Sequence, residues 1–334
     1  MSFMNKNKEE YDKILQIIDP KDYPEDAEFT KKINNFRYIR RIPYLFLIAM
    51  CFYIFQNGKL IPKNHDMLTL LVFVMVGCLL LYMNQKKKFR QEIVTAVFKE
   101  CRPELGISKY LSFVKKMLGS ELVWNVAHYN LGYDLYMSGK IEKAHEILKL
   151  MQDSCQTATA MLMAERLKQL IALYYNDYNT AVTCANEAKT IFANCSRSEW
   201  NVRIFNDTQK AGGFADSFLS GNYGQVYALY QEKTSSPLDE VLRFYYLYRA
   251  AVALNDPENA ENYKKYVMDN AGTTWFGKAL SEGFVPEAIP ADYPAFNMSP
   301  EKLSAPKKVD PVRYKYILAG ILIGLLLIYL PRVI

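Results

Sequence analysis

The sequence predicts an all-α protein, a solenoid of helical hairpins with three transmembrane helices, two forming an N-terminal hairpin and one closing the chain. Three observations predict it. Apolar residues recur at helical spacing from Phe89 to about Leu280, and turn residues interrupt that pattern at short intervals. Three apolar stretches flanked by lysine and arginine bracket this central part. Strand-type alternation bounded by turns is absent over any useful length.

Taken in order, residues 1–41 form an N-terminal region whose Glu9–Ile18 segment carries Tyr11, Ile14, Leu15 and Ile18 on one side of a helix, suited to packing on the solenoid or on a bilayer surface. Residues 42–85 form the hairpin. A hydrocarbon core of about 30 Å needs about 20 helical residues, with about 17 as the lower bound. The stretch from Ile42 to about Gln56, IPYLFLIAMCFYIFQ, is short by that measure and spans only if the helix continues past Lys59 with its ammonium reaching the headgroups. Met67–Met83, MLTLLVFVMVGCLLLYM, meets the bound. The third span occupies 314–334, with its apolar run beginning at Tyr316.

Basic residues orient these spans. Lys31, Lys32, Arg37, Arg40 and Arg41 precede the first, Lys86, Lys87, Lys88 and Arg90 follow the second, and Lys302, Lys307, Lys308, Arg313 and Lys315 precede the third. The positive-inside bias then predicts a multi-pass membrane protein with a cytoplasmic N-terminus and central domain and an extracytoplasmic C-terminus. Richness in lysine, asparagine and tyrosine suggests a bacterial cell membrane. Gly320 and Gly324 form a small-residue pair four apart, which permits a homodimer through the last span.

Residues 86–282 form the cytoplasmic solenoid. Its periodicity predicts helices at 87–101, 108–118, 121–137, 140–153, 157–175, 178–193, 198–220, 223–233, 238–254 and 257–269, and a short one near 273–281. Ser138-Gly139, Asn176-Asp177, Gly221-Asn222 and Asn255-Asp256-Pro257 mark the breaks. Residues 283–313 are a linker with prolines at 286, 290, 294, 300, 306 and 311, a density that blocks helix. It either returns the chain from the far end of the solenoid or docks in the solenoid's groove.

Half the residues are apolar and 14% aromatic, ample for a folded core. The formal net charge of +6 resides in the juxtamembrane clusters, which favours anionic lipid headgroups over nucleic acid as the electrostatic partner. The six cysteines lack metal or redox spacing, and His65, His128 and His145 have no completing ligands nearby, so no metal or cofactor is expected. Phosphate-binding loop, nucleophile elbow and HExxH motif are all missing, so the chain does not read as an enzyme.

The stretch His128–Met151, HYNLGYDLYMSGKIEKAHEILKLM, resembles a tetratricopeptide repeat, a unit of about 34 residues built from two antiparallel helices. Leu131-Gly132 matches the family's Leu-Gly pair, Leu135 its next large residue, Gly139 its turn, Ala144 its small residue, and Leu148 and Met151 its second-helix apolar positions. Weaker units follow, with Ala181, Val226 and Ala260 standing after Asn176-Asp177-Tyr178, Gly221-Asn222-Tyr223 and Asn255-Asp256-Pro257; Lys168 and Gln169 replace Leu-Gly in the second. In this family the first helix of each hairpin lines a concave face that holds a partner segment. The resemblance therefore implies partner contacts at Asn125, Tyr129, Arg166, Gln169, Tyr174, Arg243, Tyr246 and Arg249. Tyrosine and arginine suit such a face because they dominate binding energy at interfaces. The implied function is a membrane-anchored scaffold that binds another protein. The alternative is an integral accessory subunit of a transport, secretion or envelope-assembly complex.

Overall fold

Five of the helices open where a side chain offers a cap. In the computed structural model, which describes residues 3–36, 45, 65–118, 124–154, 157–283, 288–290 and 292–293, the helices are α1 (Phe3–Ile17), α2 (helical over 27–36), α3 (His65–Phe98), α4 (Pro103–Met117), α5 (Trp124–Met137), α6 (Ile141–Ser154), α7 (Ala158–Tyr174), α8 (Tyr178–Ala193), α9 (Glu199–Leu219), α10 (Gly224–Leu229), α11 (Pro237–Ala253), α12 (Pro257–Asn270) and α13 (Trp275–Glu282). Thr157, Asp177, Ser198, Ser236 and Asp256 each accept a hydrogen bond from the backbone N–H three residues on, at 3.2, 3.0, 3.3, 3.1 and 3.2 Å, opening α7, α8, α9, α11 and α12. The hairpin turns close on Gly139, Asn176, Gly221 and Asn255, all with positive φ. At three of them the following N–H returns to a carbonyl one turn inside the helix: Lys140 to Leu135, Asp177 to Ala172 and Asp256 to Ala251, each at 2.9 Å. At Asn176 and Asn255 the break therefore supplies caps of both kinds, a left-handed C-terminal residue followed by the aspartate that opens the next helix.

The chain divides into two compact units, one of Met1–Ala27 with Glu92–Ser304 and one of Glu28–Gln91 with Ala305–Ile334. In the first, α5 pairs with α6, α7 with α8 and α11 with α12, while α8 also packs on α9, α6 on α7, and α10 against both α9 and α11. This is a helical-repeat-like all-helical fold, compatible with a solenoid. Gly132 belongs to that packing: a Cβ there would stand 2.5 Å from Leu167 Cδ2 and 3.3 Å from Ile147 Cγ2, so it permits close approach both within its own hairpin and to the next. Gly212 does the same between α9 and α8, where an added Cβ would lie 2.3 Å from that of Ala185. The N-terminal helix buries Tyr11, Ile14 and Ile18 and packs on α6, with Asn7 donating to the Leu118 carbonyl and accepting from Trp124 Nε1 at 2.8 and 2.9 Å. Helix α1 thus covers the repeats, one of the two surfaces its amphipathic pattern suited.

The second unit packs Phe29 and Phe36 edge-on to Phe89, with ring centroids 5.8 and 5.2 Å apart.

The expectation of three transmembrane helices is corrected. Among the described residues no helix is long and apolar enough to cross a membrane. The run Met67–Met83 is only the front part of α3, which continues as one helix through Lys86, Lys87, Lys88 and Arg90 to Phe98. That run, which includes Thr69, is no longer than the lower bound for a span, and the helix carrying it goes on into a polar, lysine-rich stretch. Apart from Leu45, the first stretch lies outside the described residues, as does the third with its Gly320 and Gly324. The predicted localisation, a multi-pass membrane protein with a cytoplasmic solenoid and an extracytoplasmic C-terminus, rested on those spans and falls with them. Of the proline-rich 283–313, the described residues Asp292 and Tyr293 lie against α6 and the α7–α8 turn: Asp292 pairs with Lys149 and lies 3.4 Å from His145 Nε2, and Tyr293 donates to Asp177 at 3.2 Å.

Candidate functional site: the inner face of the helical array

Helix α5 repeats tyrosine at 129, 133 and 136, a spacing that aligns all three on one face. From α7, Arg166 and Gln169 stand one turn apart and meet directly, Arg166 Nη1 donating to Gln169 Oε1 at 2.7 Å. Gln169 spends its amide on two further helices, with Nε2 donating to the Ala181 carbonyl at 3.0 Å and the Thr208 carbonyl at 2.9 Å. It is fully buried and ties α7 to α8 and α9. Arg166 is nearly as buried, 8% exposed, and Tyr129, Tyr133, Tyr136, Tyr230 and Tyr246 are close enough to feel its charge.

Burial pushes the pKa of each of these phenols up, against the opposing pull of Arg166, so they remain neutral donors and acceptors at physiological pH. Burial works against the Arg166 charge as well, yet Asp207 and the surrounding phenols hold its pKa above the ordinary value. Asp207 itself lies at the solvent-open side of the cluster, and its carboxyl is raised by desolvation despite Arg166.

The solvent-open side of the cluster is built by α9 and α11. Trp200, 40% exposed, meets Tyr129 edge-on at 6.2 Å. Arg203 bonds Asp239 at 2.8 Å, lies 3.8 Å from Asp207 and sits 5.2 Å over the Phe98 ring. Lys210 stands 4.5 Å above the ring of Tyr230, its pKa lowered by burial.

At the other end of the face α13 folds inward. Trp275 contacts Tyr136, Tyr174 and Tyr245 edge-on at 6.0, 5.0 and 5.5 Å, and Phe276 contacts Tyr136 and Tyr245. The preceding turn clips onto the α3–α4 junction, with Thr273 N–H donating to the Cys101 carbonyl at 2.9 Å and its hydroxyl to Glu104.

Of the residues named from the sequence, Tyr129, Arg166 and Tyr246 come together, with Gln169 beside them as an internal tie. Tyr174 lies under Trp275 instead. Arg243 forks onto Glu240 at 2.6 and 3.0 Å and donates to the Tyr230 carbonyl at 3.1 Å. Arg249 is stacked 5.2–5.9 Å from the rings of Phe218, Phe214, Tyr178 and Tyr245 and bonds Asn176 at 2.8 Å. Asn125 is half-buried in the first turn of α5. Sequence reasoning missed Tyr133, Tyr136, Trp200, Asp207 and Tyr230. The one-face spacing along α5 was the available signal for the first two; the others depend on how α9 and α10 turn toward α5.

Among the described residues no group of three His, Cys, Asp or Glu is placed to hold a metal ion. The thiols of Cys101, Cys184 and Cys195 are buried and held protonated, with pKa values raised by desolvation. The inner face presents aromatic surface, hydroxyls and fixed charge, which are means of recognition. Comparison with protein-family models finds no match, and neither curated proteins nor solved structures provide one.

Proposed function

We propose that this chain is a protein-interaction scaffold of tetratricopeptide type, whose inner helical face takes a segment of a partner protein. The observation that carries this reading is the juxtaposition on first helices of exposed Trp200 and Arg203 with the buried Tyr129, Arg166 and Tyr246. Tryptophan, tyrosine and arginine are the residues enriched among those that dominate interface energies. The tetratricopeptide-like motif in His128–Met151 supports the same reading, because its two helices are α5 and α6 and its first helix supplies the tyrosine row.

The test is crosslinking capture by the tagged full chain, followed by mass spectrometry and repeated with Trp200→Ala and Arg203→Ala. Both side chains are solvent-exposed, so these changes leave the core intact. A specific partner whose recovery drops at least tenfold in the variants is the expected outcome. The same partner recovered undiminished from both variants overturns the proposal.

A further inference from the structure

We infer that α6 and the α7–α8 turn form a second binding site, for a short protein segment in which aspartate precedes tyrosine, and that Asp292-Tyr293 of this chain occupies it as a tethered stand-in which a partner's segment displaces. This site is distinct from the inner face, because α6 and α8 are the second helices of their hairpins.

The repeats build the receiving half by themselves. His145 and Lys149 stand four apart on α6 and so share one side of it. Tyr175 closes α7, its N–H donating to the Ile171 carbonyl at 3.2 Å. Asp177 opens α8, one carboxylate oxygen accepting from the Thr180 N–H at 3.0 Å. Each of these side chains is therefore positioned by helix or cap geometry.

The linker supplies the other half. Tyr293 N–H donates to the Pro290 carbonyl at 3.0 Å, and the turn so formed sends two adjacent side chains to different partners. Asp292 reaches both basic residues of α6: it pairs with Lys149, which also pairs with Glu146 at 2.6 Å, and lies 3.4 Å from His145 Nε2. The Tyr293 ring meets Tyr175 edge-on with centroids 5.4 Å apart and lies 6.2 Å from the His145 ring, while its hydroxyl donates to the second oxygen of Asp177 at 3.2 Å. Two residues thus engage four side chains by charge, ring contact and hydrogen bond. A chain merely crossing the surface needs none of these.

The same contacts decide what the site selects and why its occupant can leave. The side chains of Lys149 and Asp292 are 36% and 47% exposed, and ion pairs so open to water hold weakly. The strap is kept in place chiefly by its local concentration, since Asp292 follows Glu282, the last residue of α13, by ten positions. A free segment of the same chemistry competes with it directly. Asp177 accepts from a phenol but repels a phosphate, so the site takes tyrosine and rejects phosphotyrosine.

A fluorescein-labelled peptide copy of residues 288–296 is titrated into the full chain and into the full chain carrying Asp292→Ala and Tyr293→Ala, which silence the strap. The silenced chain binds the peptide, and the wild-type chain binds it at least about tenfold more weakly because the tethered copy competes. In the silenced chain, Lys149→Glu at a partly exposed position weakens binding at least about tenfold, and phosphorylating the peptide's tyrosine weakens it at least about fivefold. Absence of binding to the silenced chain at about 1 mM peptide, the effective concentration that a short tether supplies, overturns the inference. Equal binding to silenced and wild-type chains, or binding that Lys149→Glu leaves unchanged, overturns it as well, and undiminished binding of the phosphorylated peptide overturns the pairing of the phenol with Asp177. If the silenced chain does not fold by circular dichroism, Asp292→Asn with Tyr293→Phe, which keeps the side-chain volumes, replaces it with the same outcomes. Trp200→Ala and Arg203→Ala leave peptide binding unchanged, so this site and the inner face stand or fall separately.

Discussion

Single side chains inside the array do more joining than their sequence positions suggest. Gln169 stands where a tetratricopeptide repeat has a leucine-glycine pair, and in sequence it looks like a lapse in the motif. In the structure its amide links α7 to two backbone carbonyls on two other helices and receives the Arg166 guanidinium. Gln169→Leu strands those carbonyls and that donor in a dry interior, so we expect a loss of about 2–4 kcal/mol in urea unfolding. Two buried titratable groups give the stability of the fold opposite pH dependences. His128 is fully buried, with neither ring nitrogen hydrogen-bonded, and desolvation lowers its pKa to about 4. The unfolded chain therefore takes up that proton first, and stability falls as pH drops from the unfolded value near 6.5 through about 4. Glu165, buried beside Glu187 and Cys184, is raised by desolvation to about 8, so its contribution is present below the unfolded carboxylate pKa and lost as pH rises toward 8. Glu165→Gln should flatten the alkaline decline and raise Tm at pH 8 by about 2–4 °C, equivalent to about 1 kcal/mol for a unit of this size, with the gain vanishing near pH 5. Calorimetry at both pH values checks it.

At the scale of the helix, local chemistry was legible almost to the residue. Gly139, Asn176, Gly221 and Asn255 are recognisable as C-terminal left-handed positions because few residues tolerate positive φ, and beyond Asn176 and Asn255 an aspartate supplies the next cap. Helix α4 is the instructive exception. The sequence suggests a helix to 101 and another from 108, whereas Cys101 itself takes the left-handed turn at φ 51 and α4 begins at Pro103. Cysteine carries no signal for that conformation, which Thr273 supports from the far end of the array by donating to its carbonyl. Helix α13 was placed by periodicity near 273–281, but its role was not legible. Trp275 fills a site walled by Tyr136, Tyr174 and Tyr245, rings supplied by α5, α7 and α11. Trp275→Ala should cost about 3–5 kcal/mol in urea unfolding, as for other buried tryptophans, and a loss below about 1 kcal/mol would show that α13 merely rests on the face.

For the whole molecule, the clip between Thr273 and the α3–α4 junction, together with α13 inside the tyrosine-lined face, joins the last hairpin to the first helices of the array. A stack of hairpins with only neighbour contacts unfolds piecemeal from its ends; one whose ends are joined resists fraying. The membrane expectation failed at this same scale. Hydropathy is additive along the sequence, but whether an apolar run is a span depends on the length and charge of the helix it belongs to, and α3 carries Met67–Met83 into a lysine-rich continuation.

The sequence by itself determined the all-helical class, the hairpin breaks and the alignment of aromatic residues on first helices, because caps, turns and helical period act over a few residues. Only the tertiary structure decided which of those aromatics meet. Tyr129, Arg166 and Tyr246 lie far apart in sequence, and their gathering around one guanidinium, like the seating of Trp275 against Tyr174, follows from the angles at which successive hairpins pack. Those angles are set by close contacts such as Gly132 on Leu167, which the repeat motif signals, and Gly212 on Ala185, which no local pattern encodes.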